Sequence, residues 1–118
     1  MAKSMLIISR QAPWSGPGAR EALDIVLAGG AFDLPIGLLF LDDGVFQLAA
    51  KQDAKALQQK DLSANLQALP MFGVEELFFC ADSARDRGLG AVSLAEAQAL
   101  AADEITALID RYDQVITL

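Results

Sequence analysis

Residues 76 to 89 read "ELFFCADSARDRGL". The first five, Glu76 to Cys80, are mostly large and apolar. A polar stretch follows, and Gly88 closes it. An apolar run cut off this abruptly predicts a strand over 76–80 covered on both faces, as strands of a parallel sheet are. The polar stretch predicts a short helix over 81–87, capped by Gly88. A strand running directly into a helix is half of a βα repeat, and the rest of the chain repeats it.

Upstream, "SMLIIS" (4–9) and "IGLLFL" (36–41) are two further buried runs. Between them, "RQAPWSGPGAR" (10–20) is a loop by its prolines and glycines. A helix then begins near Gly18, carries a stripe of Leu23, Val26 and Leu27, and ends at Gly29-Gly30. The second run stops at Asp42-Asp43-Gly44. The "VFQL" beyond it reads either as the second arm of a hairpin or as a loop at the top of a parallel strand. Residues 53–69 predict a helix with Ala56, Leu57, Leu62, Leu66 and Leu69 unevenly spaced around it, ended by Pro70.

Downstream, "SLAEAQALAADEITALI" (93–109) predicts one long helix. Ser93 and Glu96 form a capping box, and Leu94, Ala97, Ala101, Ile105 and Leu108 share a stripe. "QVITL" at the end predicts a β-branched final strand. The alternation argues an α/β protein: a single domain over 1–118, three-layer α/β/α, with a mainly parallel sheet of about five strands and helices on both faces.

Composition narrows the chemistry. The chain has 118 residues, 53% hydrophobic and 21% charged, with a formal net charge of −7. A chain of this size buries roughly two-thirds of its unfolded surface, enough for stability without disulfides or metals. The apolar share points to a fully buried sheet or to surface lost to a partner subunit. The acidic balance disfavours direct binding of nucleic acid. With no histidine and one cysteine, the commonest general base is missing, an intrachain zinc site has too few soft ligands, and no cofactor is expected. A lone thiol suits a reducing compartment. No apolar run approaches the ~20 residues that span a bilayer, and residues 1–10 lack the pattern of a secretory signal. The expectation is a cytoplasmic protein with no membrane contact.

In open α/β sheets, ligands bind beyond the carboxyl ends of the strands. That places "RQAPWSGPG", "DDGVF" and "CADSARDRG" on one rim, with Cys80 among them. From the residues alone Cys80 has two readings. It is a small apolar residue closing a strand, or a thiol held at a helix start where N–H groups, Arg85 and Arg87 favour negative charge and Asp82 opposes it. The "SGPG" segment lacks the lysine and spacing of a P-loop and reads as a loop ahead of a helix. Trp14 in that loop packs beneath it or against a neighbouring subunit.

Taken together, "REALDIVLAGGAFD" (20–33), "LLFLDDGVFQL" (38–48), "LFFCADSARDRGL" (77–89) and "DRYDQVITL" (110–118) resemble, in order and spacing, the DsrE/DsrF superfamily of small sulfur-transfer proteins, in its TusC- and DsrF-like branch. The resemblance implies a subunit that is non-enzymatic or weakly catalytic. It implies a hetero-oligomer with TusB-like and TusD-like subunits, passing persulfide sulfur to a TusE-like acceptor in support of 2-thiolation of the tRNA wobble uridine. In sulfur-oxidising bacteria, related subunits serve sulfur oxidation. The position of Cys80 matches the persulfide-bearing cysteine of the superfamily, but in this branch the sister subunit is expected to hold the working sulfur. Trp14, Val45, Phe46, Met71 and Phe72 are the candidate interface residues. Two readings of other classes stand beside this one: a stand-alone homo-oligomeric thiol sulfurtransferase using Cys80, and a small-molecule binding module on the "SGPG" and "DDG" rim.

Overall fold

The computed structural model describes residues 4–11, 18–32, 35–48, 68–74, 76–88 and 97–118; of these, the side chains of Ala19 and Phe72 are not described. Five strands form one sheet: β1 (Met5–Ser9), β2 (Ile36–Phe40), β3 (Glu76–Cys80), β4 (Gln98–Leu100) and β5 (Gln114–Thr117). Their order is β4-β3-β2-β1-β5, and every pairing is parallel. The register places Ile7 beside Leu38 and Leu38 beside Leu77. The three central strands are therefore the three continuous apolar runs, as double burial requires.

Alternate side chains of those strands feed two cores. On one face, Ile7, Leu38, Phe40 and Leu77 pack with Ala22, Leu23 and Val26 of helix α1 (Gly18–Ala31). Val45, Leu48 and Leu69 join them from two short 3-10 helices, Asp42–Leu48 and Leu69–Phe72. On the other face, Leu6, Ile8, Leu39, Phe78 and Leu100 pack with Ile105 and Leu108, which belong to helix α3 (Ala102–Asp110). The short helix α2 (Ala81–Asp86) follows β3 without a loop. Among the described residues, no helix is long and apolar enough to cross a membrane.

The described residues differ from the sequence expectation at the end of helix α1 and ahead of the last helix. Helix α1 runs past Gly29-Gly30 to Ala31, and the Phe32 N–H bonds back to the carbonyls of Ala28 and Gly29. Gly29 serves packing instead of termination: a Cβ there would lie 2.9 Å from Ile36 Cδ1. Pro70 sits in the first turn of a 3-10 helix, where its missing N–H costs nothing. Gly73 ends that turn at φ 84°. Most of the helix expected over 53–69 lies outside the described residues, as does the Ser93–Glu96 capping box.

The largest correction is at 98–100. Those residues are strand β4, and the last helix begins only at Ala102. Ala, Leu, Gln and Glu favour helix, so local preference pointed the wrong way; pairing of Gln98 with Phe78 and of Leu100 with Cys80 outweighs it. Glu104 supplies the cap instead, its carboxylate accepting from the Ala101 N–H at 2.9 Å. Of the predicted stripe, Ile105 and Leu108 are buried on this shorter helix.

At the amino end of the sheet, the Tyr112 hydroxyl donates to Glu76, with Arg111 3.8 Å from the same carboxylate. Burial, and then the bond to Glu76, push the Tyr112 pKa well above its ordinary value. The folded chain thus keeps this proton at a pH where the unfolded chain has released it, so stability falls as pH rises past about 10. Tyr112 is the only tyrosine. Denaturant melts between neutral and strongly alkaline pH should show a steeper loss for the wild type than for Tyr112→Phe.

Candidate functional site

Strands β1, β2 and β3 are neighbours and parallel, so their carboxyl ends, Ser9, Phe40 and Cys80, open onto one rim. The segments leaving them are tied together. The Leu41 N–H bonds to the Ser9 carbonyl at 3.0 Å, and Gly44 lies so close that a Cβ would be 2.0 Å from that oxygen. Gln47 is 1% exposed, and its amide nitrogen donates to Ser9 Oγ at 2.8 Å and to the Gln11 carbonyl at 3.1 Å. This buried amide is satisfied by partners on the β1 side, which is what allows it to be buried.

Asp42 begins the 3-10 helix in the left-handed region, at φ 50°. Two contacts hold it there: Arg10 bonds its carboxylate at 2.8 Å, and its N–H donates to Ser83 Oγ at 3.1 Å. Ser83 belongs to α2 and is itself buried. Its N–H donates to Cys80 Sγ at 3.4 Å, making Cys80 the N-cap of α2. Its carbonyl accepts from Arg87 at 3.3 Å, and Arg87 also bonds the Asp43 carboxylate at 2.8 Å. That bond to Asp43 raises the Arg87 pKa above its ordinary value. Arg85 turns the other way, to Asp82 on its own helix.

Cys80 is 8% exposed and packs with Leu6, Ile8, Leu39, Phe78 and Leu100. Both arginines expected to add positive charge beside it are held by carboxylates, Arg85 by Asp82 and Arg87 by Asp43. The arrangement is that of a strand-closing, helix-capping residue. Sequence reading put Cys80, Asp42, Asp43 and Arg87 on the right rim but missed the roles of Ser83, Gln47 and Ser9. Their pairings join residues 36 to 41 positions apart, and short polar side chains carry no local signal for that.

The interface candidates divide. Val45 is a correction: it is 0% exposed within the chain's own core, so it has no surface to offer a partner. Its neighbour Phe46 is half-buried, and Met71 is 88% exposed. Trp14 lies outside the described residues, and Phe72 outside the described side chains. Phe32, 79% exposed, was not singled out, because the helix was expected to end before it. Among the described residues, no group of three or more histidine, cysteine, aspartate or glutamate residues is placed to hold a metal.

The model of the DsrE/DsrF-like family matches residues 3–118. The chain belongs to the DsrE/DsrF-like family. Within it, the chain is 66% identical to a Protein TusC homolog of Pseudomonas aeruginosa over 119 aligned positions, covering 100% of both. It is 33% identical to Protein TusC of Klebsiella pneumoniae, covering 97% of this chain and 98% of that one. The intracellular sulfur oxidation protein DsrF of Allochromatium vinosum is 39% identical over 94 residues, 80% of this chain and 69% of that protein. The same fold is present in a crystal structure of the YchN protein from E. coli, with a TM-score of 0.75, 18% identity and full coverage of both chains. The DsrE/DsrF-like assignment and the parallel three-layer architecture agree with the sequence reading.

Proposed function

We propose that this chain is the TusC-type subunit of a cytoplasmic sulfur-relay assembly, folded as one domain over 1–118. It works beside TusB-like and TusD-like sisters that pass persulfide sulfur to a TusE-like acceptor for 2-thiolation of tRNA. The observation that carries this reading is the 66% identity to a TusC homolog along the whole chain. The rim supports a subunit more than a stand-alone thiol enzyme. A relay sulfur needs access to a second sulfur for in-line attack, and Cys80 is nearly covered and hydrogen-bonded where it is. The working sulfur is then a sister's, and this chain contributes surface. The net charge of −7 keeps that surface from tRNA and leaves RNA contact to other members.

Co-expression with TusB-like and TusD-like chains should yield a complex that co-purifies. Cys80→Ser should assemble normally and leave tRNA 2-thiouridine, read by nucleoside mass spectrometry, within about twofold of wild type. The serine hydroxyl can take over the cap. Loss of thiolation in that variant, with the complex intact, would sink the subunit reading in favour of the stand-alone sulfurtransferase using Cys80.

The docking surface is proposed to include Met71 and Phe32, the most exposed large apolar side chains among the described residues. Contact residues of this type dominate interfaces when they fill pockets on the partner. Met71→Asp or Phe32→Asp should weaken assembly at least about tenfold while changing the melting of the isolated chain by no more than about 0.5 kcal/mol. Equal affinity in a titration against the sisters would remove both from the interface. A second reading, a role in sulfur oxidation, rests on the likeness to DsrF of Allochromatium vinosum; genes for a sulfite reductase beside this one would favour it.

A further inference from the structure

The rim contains one device that the subunit reading does not use. Helix α2 is short, six residues from Ala81 to Asp86, and isolated helices of that length do not persist in water. Its position must therefore come from contacts, and its polar ones converge on Ser83. The Ser83 N–H goes to Cys80 Sγ, its hydroxyl oxygen receives the Asp42 N–H, and its carbonyl receives Arg87. Arg87 in turn grips Asp43 at 2.8 Å, and Asp42 is held by Arg10. Of the ion pairs in the described residues, Arg87–Asp43 contains the least exposed partner, Arg87, whose side chain is 26% exposed. Among the described residues, the other acidic groups that act on Arg87 are Asp42 and Asp86.

We propose that the Arg87–Asp43 pair is an electrostatic latch: it holds α2 against the 3-10 helix Asp42–Leu48, and its release frees α2 and uncovers the Cys80 sulfur. The latch joins two segments 44 residues apart, so one broken pair loosens the seam between them. With the latch closed, the sulfur holds the Ser83 N–H in the first turn of α2, and Leu6, Ile8, Leu39, Phe78 and Leu100 pack around it. With it open, Ser83 parts from the Asp42 N–H across the seam, and as the first turn of α2 loosens the sulfur loses its N–H donor. The proposal goes beyond the subunit reading and holds whether or not Cys80 ever carries sulfur; the thiol serves as its built-in reporter.

The chain has a single cysteine, so its reaction with uncharged 4,4′-dithiodipyridine, followed by absorbance of the released thiopyridone, reads only this site. Arg87→Ala and Asp43→Asn should each raise the rate about fivefold, with no further gain in the double variant. The swap of Asp43→Arg with Arg87→Asp should bring the rate back down. Raising salt from about 0.1 M to about 1 M, which shortens the screening length from about 10 Å to about 3 Å, should accelerate the wild type but not Arg87→Ala. Arg85→Ala, which breaks only the pair within α2, should react as the wild type does. Wild-type rates in folded Arg87→Ala and Asp43→Asn, or an equal acceleration in Arg85→Ala, would overturn the latch. Should Arg87→Ala fail to fold, the salt response of the wild type decides: acceleration supports the latch, and a flat response overturns it.

Discussion

Phe40→Ala is expected to lower the stability of the fold by about 4 kcal/mol, within the range for removing a fully buried phenylalanine. Phe40 is 0% exposed and lies at the end of β2, the middle strand of five. Its neighbours in register are Ser9 on β1 and Phe79 on β3. It shares its core with Val26 of α1 and with Val45 and Leu48 of the 3-10 helix. A cavity there has little chance to collapse, because the strands on both sides are held by main-chain ladders and the cover above is tied to Ser9 through Gln47. A domain of this size has only about 5–15 kcal/mol in total, and each kilocalorie is worth roughly 4–8 °C of Tm for about 100 residues. The melting temperature should thus fall by at least about 15 °C in a thermal scan followed by circular dichroism. Phe40→Leu, which keeps most of the volume, should lose far less. A loss below about 1.5 kcal/mol for the alanine variant would mean that the rim packing described here is not what holds β2.

The parts of this molecule that the sequence revealed are those where local pattern and tertiary role agree. "MLIIS", "IGLLF" and "ELFFC" are apolar on both faces because both faces are covered, and each reads as a strand for that reason. The final strand was legible from its β-branched residues, although all four of its residues are exposed at the sheet edge. β4 was not legible. "QAL" sits within helix-forming neighbours, and only the exposed edge of β3, three residues long where they pair, makes it a strand.

At the rim, the residue types were legible and the partnerships were not. Asp42 and Asp43 stand where the second apolar run stops, and there they begin the 3-10 helix that leaves β2. That Asp43 meets Arg87, and that the Asp42 N–H meets Ser83, follows from β2 and β3 being adjacent, which sequence spacing does not state. Val45 shows the converse failure. An apolar residue after a turn reads equally well as interface or core, and here the 3-10 helix folds it inward over Phe40.

Gly44→Ala should be nearly as damaging as Phe40→Ala, by the opposite route: atoms added where there is no space. The new Cβ would stand 2.0 Å from the Ser9 carbonyl oxygen, 2.8 Å from its carbon and 3.3 Å from Arg10 Cα. These are backbone atoms, so no rotamer change relieves the contact. The Ser9 carbonyl is also the acceptor for the Leu41 N–H, and displacing it weakens the join between β1 and the segment leaving β2. Overpacking of this kind costs about 3 kcal/mol, and the methyl cannot instead be turned to solvent, because Gly44 is buried. Gly73 provides the control. It has φ 84° and nothing within 4 Å of its Cβ position. Gly73→Ala therefore meets only the left-handed backbone penalty, about 1–2 kcal/mol. Denaturant melts of the two variants side by side should rank Gly44→Ala clearly below Gly73→Ala. The shift of Ser9 should also disturb Gln47, whose amide is anchored to Ser9 Oγ, so amide exchange should quicken through Asp42–Leu48 in Gly44→Ala and not in Gly73→Ala. Equal stability of the two variants would show that the 3-10 helix does not press on the end of β1, and the account of the rim as one tied unit would fail with it.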